Sequence, residues 1–211
     1  MKNCVDTIRY GVCDDTNLDI LKQLSDDEIA YLQSFLQDIP PSPSNSSPVT
    51  QNEIIHLYNL QLSQRLSMRD TIKIIDVELM QPFIELCSQL NIDPLLGKSD
   101  ACLKEGRKIA LFYKAYFNRA RPFQLSMLYC VNFAPMPSIS ALTPAYPSGH
   151  TIQSEMLCRM YSRHYPNYAK QFQSVADLIS YCRVVGGLHY QSDIDVGKHI
   201  VNLIERRELC Q

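Results

Sequence analysis

The period of the apolar residues is the feature that most constrains the fold of this chain. Apolar side chains recur at helical spacing along most of its 211 residues, and no segment shows the alternation of a half-buried β-strand. The first clear helix follows a capping box, Ser25 with Glu28, and carries Ile29, Leu32 and Leu36 on one side. The sequence therefore predicts an all-α fold, a single-domain helical bundle.

Further helices are expected where the same spacing returns between capping and breaking residues. Thr50 and Glu53 repeat the capping signal, while Pro122 and the Gly186–Gly187 pair are expected to end helices. The predicted helices cover residues near 50–62, 67–90, 99–118, 148–165, 166–185 and 192–207, with a short one allowed at 125–131.

Proline and serine dominate residues 39–48, a composition that cannot form the interior of a helix or a strand. This run predicts an N-terminal arm, residues 1–48, with one helix and a Pro/Ser-rich linker. A helical core, residues 49–211, follows it. The arm is too short to build a core of its own, so one domain overall is expected.

Composition and charge limit which binding partners and which cellular compartment are expected. A net charge of −2 gives the chain no general affinity for polyanions, so nucleic acid is not an expected partner. No apolar run reaches the roughly 18 residues of a membrane span, and residues 1–14 lack the apolar stretch of a signal peptide. A cytoplasmic or otherwise intracellular location is expected. The eight cysteines include no C-x-x-C pair, so mostly free thiols and no structural zinc are expected.

Two cations, Lys114 and Arg121, stand seven positions apart just ahead of Pro122. Seven residues span almost two helical turns, so both side chains are expected to point the same way at the end of a helix. Arginine grips an anion with a planar fork and lysine adds a compact charge. In isolation such a pair is more typical of a solvated helix face.

A second cluster, Ser148, Gly149 and His150, follows Pro147 where a helix is expected to begin. A helix N-terminus presents N–H groups to an anion, and Gly149 permits close approach to the backbone. Ser148 adds a hydroxyl, and His150 can donate a proton to a leaving oxygen. The alternative is an ordinary turn with Ser148 as the N-cap and His150 at the surface.

The third cluster contains Arg183, His189 and Asp193. His189 and Asp193 are four residues apart, hence neighbours if the turn between them is helical. A carboxylate on one ring nitrogen fixes the tautomer and leaves the other nitrogen to attack an electrophile. Gly186 and Gly187 let the chain bend so that Arg183 reaches the same place. A surface His–Asp pair is the alternative.

Together the three clusters contain what transfer of a phosphoryl group requires. A phosphate monoester spreads about two charges over three non-bridging oxygens, which must be clamped during transfer. No metal or other cofactor is needed, and vanadate is a candidate phosphate mimic. The expected phosphate ligands are Lys114, Arg121, Ser148, Gly149 and Arg183, and the expected catalytic residues are His189 as nucleophile, His150 as general acid and Asp193 as the group that orients His189.

In order and spacing these clusters resemble the signature of the type 2 phosphatidic acid phosphatase and vanadium haloperoxidase superfamily. The K-x6-R-P part matches residues 114–122, P-S-G-H matches 147–150, and R-x5-H-x3-D matches 183–193. Cys182 stands where the family commonly has serine. The resemblance covers residues 99–207, about half of the chain, and is strongest to the soluble class A non-specific acid phosphatases.

The resemblance implies a helical bundle of the acid phosphatase and haloperoxidase type. It also implies a covalent phosphohistidine on His189, a leaving-group acid at His150 and an orienting role for Asp193, without a metal. Class A enzymes are usually periplasmic, and this chain shows no export signal, so the resemblance does not settle the compartment.

Two other functions remain open at this point. A vanadium-dependent haloperoxidase would place the same residues around vanadate, and a non-catalytic phosphate-binding module would use only the ligands. The expected substrate is a small-molecule or lipid phosphate ester whose identity is left open, as is a homo-oligomer. The walls that select the substrate are expected from the N-terminal half and from residues 124–146.

Overall fold

Ten α-helices and three short 3₁₀ turns form the regular structure in the computed structural model, which describes residues 4–12 and 14–209. No strand occurs among these residues, so the predicted all-α class is confirmed. The α-helices are α1 (Asp15–Lys22), α2 (Asp26–Gln33), α3 (Pro48–Ser63), α4 (Arg69–Val77), α5 (Gln81–Leu90), α6 (Leu96–Phe117), α7 (Pro122–Ser126), α8 (Gly149–His164), α9 (Ala169–Val185) and α10 (Gln191–Leu209).

Helix α8 lies at the centre and packs against α6, α9 and α10. Two glycines allow this close packing. A Cβ atom on Gly106 of α6 would lie 3.0 Å from Cγ of Gln153, and one on Gly197 of α10 would lie 3.2 Å from Cγ2 of Thr151. Because side chains at these positions would push the helices apart, the glycines fix the start of α8 between its neighbours.

A stack of three buried aromatic rings joins α5, α8 and α9. Phe83, Tyr161 and Phe172 contact one another, with ring centroids 5.5 Å (Phe83–Tyr161), 4.8 Å (Tyr161–Phe172) and 6.4 Å (Phe83–Phe172) apart. Stacked rings of this kind bury large apolar surfaces in fixed orientations. The stack therefore holds α9, which carries Arg183, in a defined position against α8.

The N-terminal arm carries two α-helices, so the prediction of one helix in residues 1–48 was wrong. The predicted capping box at Ser25 is present and begins α2. The additional helix, α1, begins after Asp14, whose carboxylate accepts the N–H of Asn17 at 3.0 Å. α1 has eight residues and buries none of them, so the sequence carried too little apolar periodicity to predict it.

The arm contributes side chains to the same core as the later helices. Leu32, Phe35 and Ile39 are buried in a cluster that also contains Tyr113 of α6 and Ile200 of α10. One domain overall and the division at residue 48 both remain predictions.

Helix α3 begins earlier than the Thr50 capping signal predicted. Ser47 is the N-cap, and Pro48 is the first helical residue, a position that suits proline because its missing N–H is not needed there. The hydroxyl of Thr50 instead donates to the carbonyl oxygen of Ser44 at 2.8 Å.

The single helix predicted over residues 67–90 is divided into α4 and α5. Pro82 lies in the first turn of α5, because proline cannot donate the N–H that a helix interior requires. The break at residues 78–80 has a consequence for the site, since these residues line the cavity described below.

The remaining boundaries lie within a few residues of those predicted. α6, α8 and α10 match closely, α9 is preceded by the 3₁₀ turn Pro166–Tyr168, and α7 begins three residues before the short helix allowed at 125–131. Within the described ranges, no helix has the combination of length and apolar character that crossing a membrane requires.

The cysteines follow the prediction as far as the structure describes them. The six described ones are unpaired thiols, namely Cys4, Cys87, Cys102, Cys130, Cys158 and Cys182. Cys13 and Cys210 lie outside the described residues. Residues 1–3, which belong to the N-terminal stretch without a predicted signal peptide, also lie outside them.

Candidate active site

All eight predicted site residues lie at the ends of helices that meet around the start of α8. Lys114 is in the last turn of α6, Arg121 precedes α7, and Arg183 is in the last turn of α9. The Ser148–His150 segment begins α8, and His189 and Asp193 flank the start of α10. The backbone links two of these clusters directly, because the N–H of Ser148 donates to the carbonyl oxygen of Asp193 at 3.0 Å.

Lys114 and Arg121 do not lie on one helix, so that part of the sequence argument was wrong. α6 ends at Phe117, and Asn118 adopts a left-handed conformation with φ of 46°. Arg121 is then the N-cap of α7. The two cations nevertheless reach the same region, since both are buried and both bond to the segment 143–144.

Lys114 lies against the start of α8. Its ammonium group donates to the carbonyl oxygen of Pro144. A Cβ atom on Gly149 would lie 3.6 Å from Cε of Lys114 and 3.6 Å from Cβ of Ala110. The lysine side chain therefore runs beside the backbone of Gly149, as a shared anion site requires.

The guanidinium of Arg121 connects the 143–144 segment with His189. Its Nε donates to the carbonyl oxygen of Thr143 at 2.8 Å, and its Nη1 to that of Leu188 at 2.6 Å. Nη1 also lies 3.0 Å from Nε2 of His189. Burial lowers the pKa of Arg121 to about 10, which leaves it charged at neutral pH.

The hydrogen bonds of His189 fix its tautomer. Arginine only donates, so Nε2 of His189 accepts from Arg121 and carries no proton. Nδ1 therefore carries the proton and donates it to Oδ2 of Asp193 at 3.1 Å. This is the arrangement in which a carboxylate orients the ring and Nε2 holds the nucleophilic lone pair.

His189 is a neutral base in this environment. Burial lowers its pKa well below the ordinary value of 6.5, and Arg121, Lys114 and Arg183 lower it further. Arg121 contacts the ring directly, and Lys114 and Arg183 lie near enough for their charges to act on it. The structure thus brings together the positive charges that the sequence grouped in two separate motifs.

Ser148 caps α8. Its Oγ accepts from the N–H of Thr151 at 3.4 Å and from the Thr151 hydroxyl at 3.0 Å. The N-cap alternative considered for this serine is thus what the geometry shows. Its hydroxyl hydrogen is not used in these bonds, and its contact with phosphate remains a prediction.

His150 is only partly exposed and lines the cavity, in contrast to the surface position of the alternative interpretation. Its Nε2 lies 3.2 Å from the carbonyl oxygen of Ile75, which can only accept, so Nε2 carries a proton. Burial lowers the pKa of His150 well below 6.5, and the charge of Arg183 lowers it further.

Asp76 is a site residue that the sequence analysis missed. Its Oδ1 accepts from Nη1 of Arg183 at 2.8 Å and from the hydroxyls of Ser138 and Ser140. Although burial acts to raise its pKa, Arg183 and the two hydroxyls outweigh it and lower the pKa to about 2. Asp76 therefore neutralises part of the charge of a predicted phosphate ligand.

Arg119 is a second missed residue, and it lies on the other side of Asp193. Its Nη1 donates to Oδ1 of Asp193 at 2.6 Å, and its Nη2 to Oε2 of Glu53 at 3.1 Å. No motif pointed to Arg119, and the only available signal was a second arginine two positions before Arg121.

A cavity of about 570 Å³ opens beside these groups. Of the eight predicted residues its lining contains Lys114, Gly149 and His150, together with Thr143, to which Arg121 is bonded. The remaining five are not in the lining. The walls come mainly from residues 76–81, Ile84, residues 139–143 and α6, and that these walls select the substrate remains a prediction.

The arrangement can bind a tetrahedral oxyanion. Three buried cations act on His189, one of them by direct contact, and the N-terminus of α8 adds backbone donors. Among the described residues, no group of three or more His, Cys, Asp or Glu side chains has the arrangement of a metal site.

Comparison with known proteins gives one curated relative and one solved structure of note. No family model matches the chain. A non-specific acid phosphatase from Salmonella typhi is 32% identical over 89 residues, which are 41% of this chain. The chain spans about a third (34%) of that relative's length in this match. The relative supports the resemblance to the phosphatase superfamily that the three motifs indicate.

The solved structure is a transmembrane PAP2 type phosphatidylglycerolphosphate phosphatase from Bacillus subtilis. It is 18% identical, and the match covers 92% of each chain with a TM-score of 0.36. A TM-score of this size does not establish a shared fold. A helical bundle of the acid phosphatase and haloperoxidase type therefore remains a prediction.

Proposed function

We propose that this chain, which resembles the type 2 phosphatidic acid phosphatase superfamily in its three motifs and in its acid phosphatase relative, is a phosphatase. It hydrolyses phosphate esters without a metal, through a phosphohistidine on His189. One observation carries the proposal. His189 bonds to Asp193 through Nδ1, while Nε2 faces Arg121, a cation suited to hold the group under attack.

Binding of phosphate begins with a change of partner at Arg121. The N–H that now donates to Nε2 of His189 passes to a phosphate oxygen, a stronger, charged acceptor. Lys114 and Arg183 bind the other oxygens, with the N–H of Gly149 and the hydroxyl of Ser148 as neutral donors. The exchange leaves the lone pair of Nε2 directed at phosphorus.

The chemical step is an in-line displacement. Nε2 of His189 forms a bond to phosphorus as the ester P–O bond breaks, and the imidazolium form of His150 gives its proton to the departing alkoxide. Asp193 stabilises the positive charge that develops on the ring of His189. The clamped cations compensate the charge on the equatorial oxygens.

The second step returns the enzyme to its starting state. His150, now neutral, takes a proton from water as the water oxygen attacks phosphorus and the P–Nε2 bond breaks. Inorganic phosphate leaves, and His150 again holds the proton that the next cycle requires. Protons and phosphoryl groups balance over the cycle.

A test of the proposal measures phosphate release from aryl, alkyl, nucleotide and lipid phosphates in the presence of EDTA. We expect activity in the wild type and its loss in His189→Ala. His56→Ala is the matched control, because His56 is an exposed histidine on α3. Activity that survives His189→Ala, or that EDTA abolishes in the wild type, contradicts the proposal.

A further inference from the structure

A buried ion network lies behind Asp193, on the side away from His189. Arg119 is 1% exposed, Asp193 is 0% exposed and Glu53 is 11% exposed. Arg119 bonds to both carboxylates, at 2.6 Å to Asp193 and at 3.1 Å to Glu53. Burying three charges costs free energy unless each charge is paired. These three are therefore not an ordinary solvated surface cluster.

The two oxygens of Asp193 have different partners. Oδ2 accepts from Nδ1 of His189 at 3.1 Å and from the N–H of Tyr190 at 2.9 Å. Oδ1 accepts from Arg119. This division fixes the plane of the carboxylate, and with it the direction in which Oδ2 holds the ring of His189.

Arg119 is itself held on several sides. Its guanidinium carbon lies 3.8 Å from the ring centroid of Tyr190, and Nη1 also donates to the hydroxyl of Ser192 at 2.7 Å. Glu53 bonds to that same serine, accepting its N–H at 2.6 Å and its hydroxyl at 3.0 Å. The fork of Arg119 therefore has one orientation, which is set by α3 and α10 together.

We propose that Arg119 is a positioning residue for His189, acting through Asp193, and that Glu53 holds Arg119 in place. The inference rests on the proposed function, in which His189 is the nucleophile. Arg119 shares the charge of Asp193, so the carboxylate does not draw the proton from Nδ1 as positive charge develops on the ring. It also fixes the ring so that Nε2 remains directed toward the phosphate.

The charges around His189 determine the direction in which its pKa should shift in each variant. The groups that face it are Asp193 of α10, Lys114 of α6, Arg121 before α7, His150 of α8 and Arg183 of α9. Removing the positive charge of Arg119 leaves Asp193 less compensated, which stabilises the imidazolium of His189. Removing the negative charge of Glu53 has the opposite effect.

The experiment compares Arg119→Met, Arg119→Lys and Glu53→Gln with the wild type. It measures kcat, KM and the acid limb of kcat/KM on an aryl phosphate, together with the dissociation constant of inorganic phosphate. The titration of the His189 ring is followed by NMR of nitrogen-labelled protein, with His189→Ala identifying its signals. Arg159→Met is the matched control, because Arg159 is another largely buried arginine, and its partners Glu155 and Glu205 are not site residues.

For Arg119→Met we expect kcat to fall about 100-fold, the low end for a lost acid–base contribution. Phosphate affinity should stay within about threefold, because this change leaves the phosphate ligands intact. The acid limb and the His189 titration should move to higher pH in Arg119→Met and to lower pH in Glu53→Gln. Arg119→Lys keeps the charge and should leave the acid limb and the His189 titration near their wild-type positions. Arg159→Met should lower only the midpoint of thermal unfolding.

The proposal is overturned if the acid limb and the His189 titration stay in place in folded Arg119→Met and Glu53→Gln. It is also overturned if phosphate affinity falls in step with kcat, since Arg119 would then act on the binding site. If Arg119→Met does not fold, Arg119→Lys and Glu53→Gln decide by the same criteria. A wild type without phosphatase activity contradicts the proposed function, whereas the His189 titration still tests the role of Arg119.

Discussion

Arg121 donates a hydrogen bond to Nε2 of His189 across 3.0 Å, and Nε2 is the nitrogen that attacks phosphorus in the proposed mechanism. The same bond establishes that Nε2 is unprotonated, because arginine has no acceptor. An anion that takes over the N–H of Arg121 uncovers the nucleophile. In the proposed mechanism, binding of the phosphate and activation of His189 are therefore one event.

Arg121→Lys should weaken both binding and reaction. Lysine keeps the charge but lacks the planar fork that bonds to Thr143, Leu188 and His189. We expect kcat/KM to fall by about 100-fold, as for the loss of one preorganised donor at a developing charge. Inhibition by vanadate, a phosphate mimic, should weaken in parallel. Arg69→Lys, an exposed arginine at the start of α4, is the control. Unchanged vanadate inhibition in Arg121→Lys contradicts the assigned role.

Asp76→Asn should lower stability in a pH-dependent way. The pKa of Asp76 is lowered from 3.8 to about 2 in the folded protein, so its charge stabilises the fold above pH 3.8. That contribution, about 2 kcal/mol at pH 7, is lost as the pH falls through 3.8 toward 2. Chemical denaturation should show a deficit in the variant at pH 7 and little difference near pH 2. An equal deficit at both pH values contradicts the account.

Asp76→Asn should also tighten anion binding, because Arg183 would no longer share its charge with a carboxylate. A calorimetric titration with inorganic phosphate at pH 7 measures this. Weaker phosphate binding in the variant would show that Asp76 mainly orients Arg183 instead of neutralising it.

Activity should be highest on the acidic side of pH 6.5. His150 must be protonated to act as an acid, and its pKa lies well below 6.5 because of burial and Arg183. His189 must be neutral, and its lowered pKa keeps it neutral well below pH 6.5. The profile of kcat/KM reports the free enzyme, so its basic limb should begin below pH 6.5. A plateau that extends above pH 8 contradicts this assignment.

His150→Ala should affect substrates according to their leaving groups. An alkoxide needs a proton to depart, whereas an aryloxide with a low pKa departs without one. We expect a loss of about 100-fold or more on alkyl phosphates, the usual contribution of a general acid, and a much smaller loss on p-nitrophenyl phosphate. Equal losses on both substrates would assign His150 to binding instead of proton transfer.

Gly187 should be intolerant of a side chain. Its φ is +73°, and an added Cβ would lie 2.3 Å from Cζ of Phe133. Gly187→Ala should lower the free energy of unfolding by more than about 1 kcal/mol, from backbone strain and the clash together. Gly97→Ala is the matched comparison, because nothing lies within 4 Å of its Cβ position in α6. A helical alanine there should stabilise by about 0.5–1 kcal/mol. Equal effects of the two changes on the free energy of unfolding would contradict the claim that the turn before His189 requires glycine at position 187.

The sequence predicted the site where its residues are close along the chain. His189 and Asp193 are four positions apart, and their contact was predicted on the condition that the turn between them is helical. Asp76 could not be found this way, since it meets Arg183 across 107 positions and an aspartate near a helix end is typically solvated. Arg119 was missed for the same reason, because its partner Glu53 belongs to a helix whose packing the sequence does not specify.

The fold could be predicted where capping residues in the sequence mark the ends of helices. Ser25 and Ser148 cap helices where expected. Pro82 divides a continuous apolar pattern, and this break places residues 78–80 at the cavity. Such a break depends on tertiary packing as much as on proline, so periodicity alone extended the helix through it.

Trapping the covalent intermediate tests the central claim most directly. Enzyme turning over a radiolabelled phosphomonoester is quenched at alkaline pH, where a phosphorus–nitrogen bond survives, and the labelled peptide is mapped by mass spectrometry. We predict a single labelled site, His189, whose label is lost on acidification and is absent from His189→Ala. Turnover without labelled protein, or label on another residue, would contradict the account.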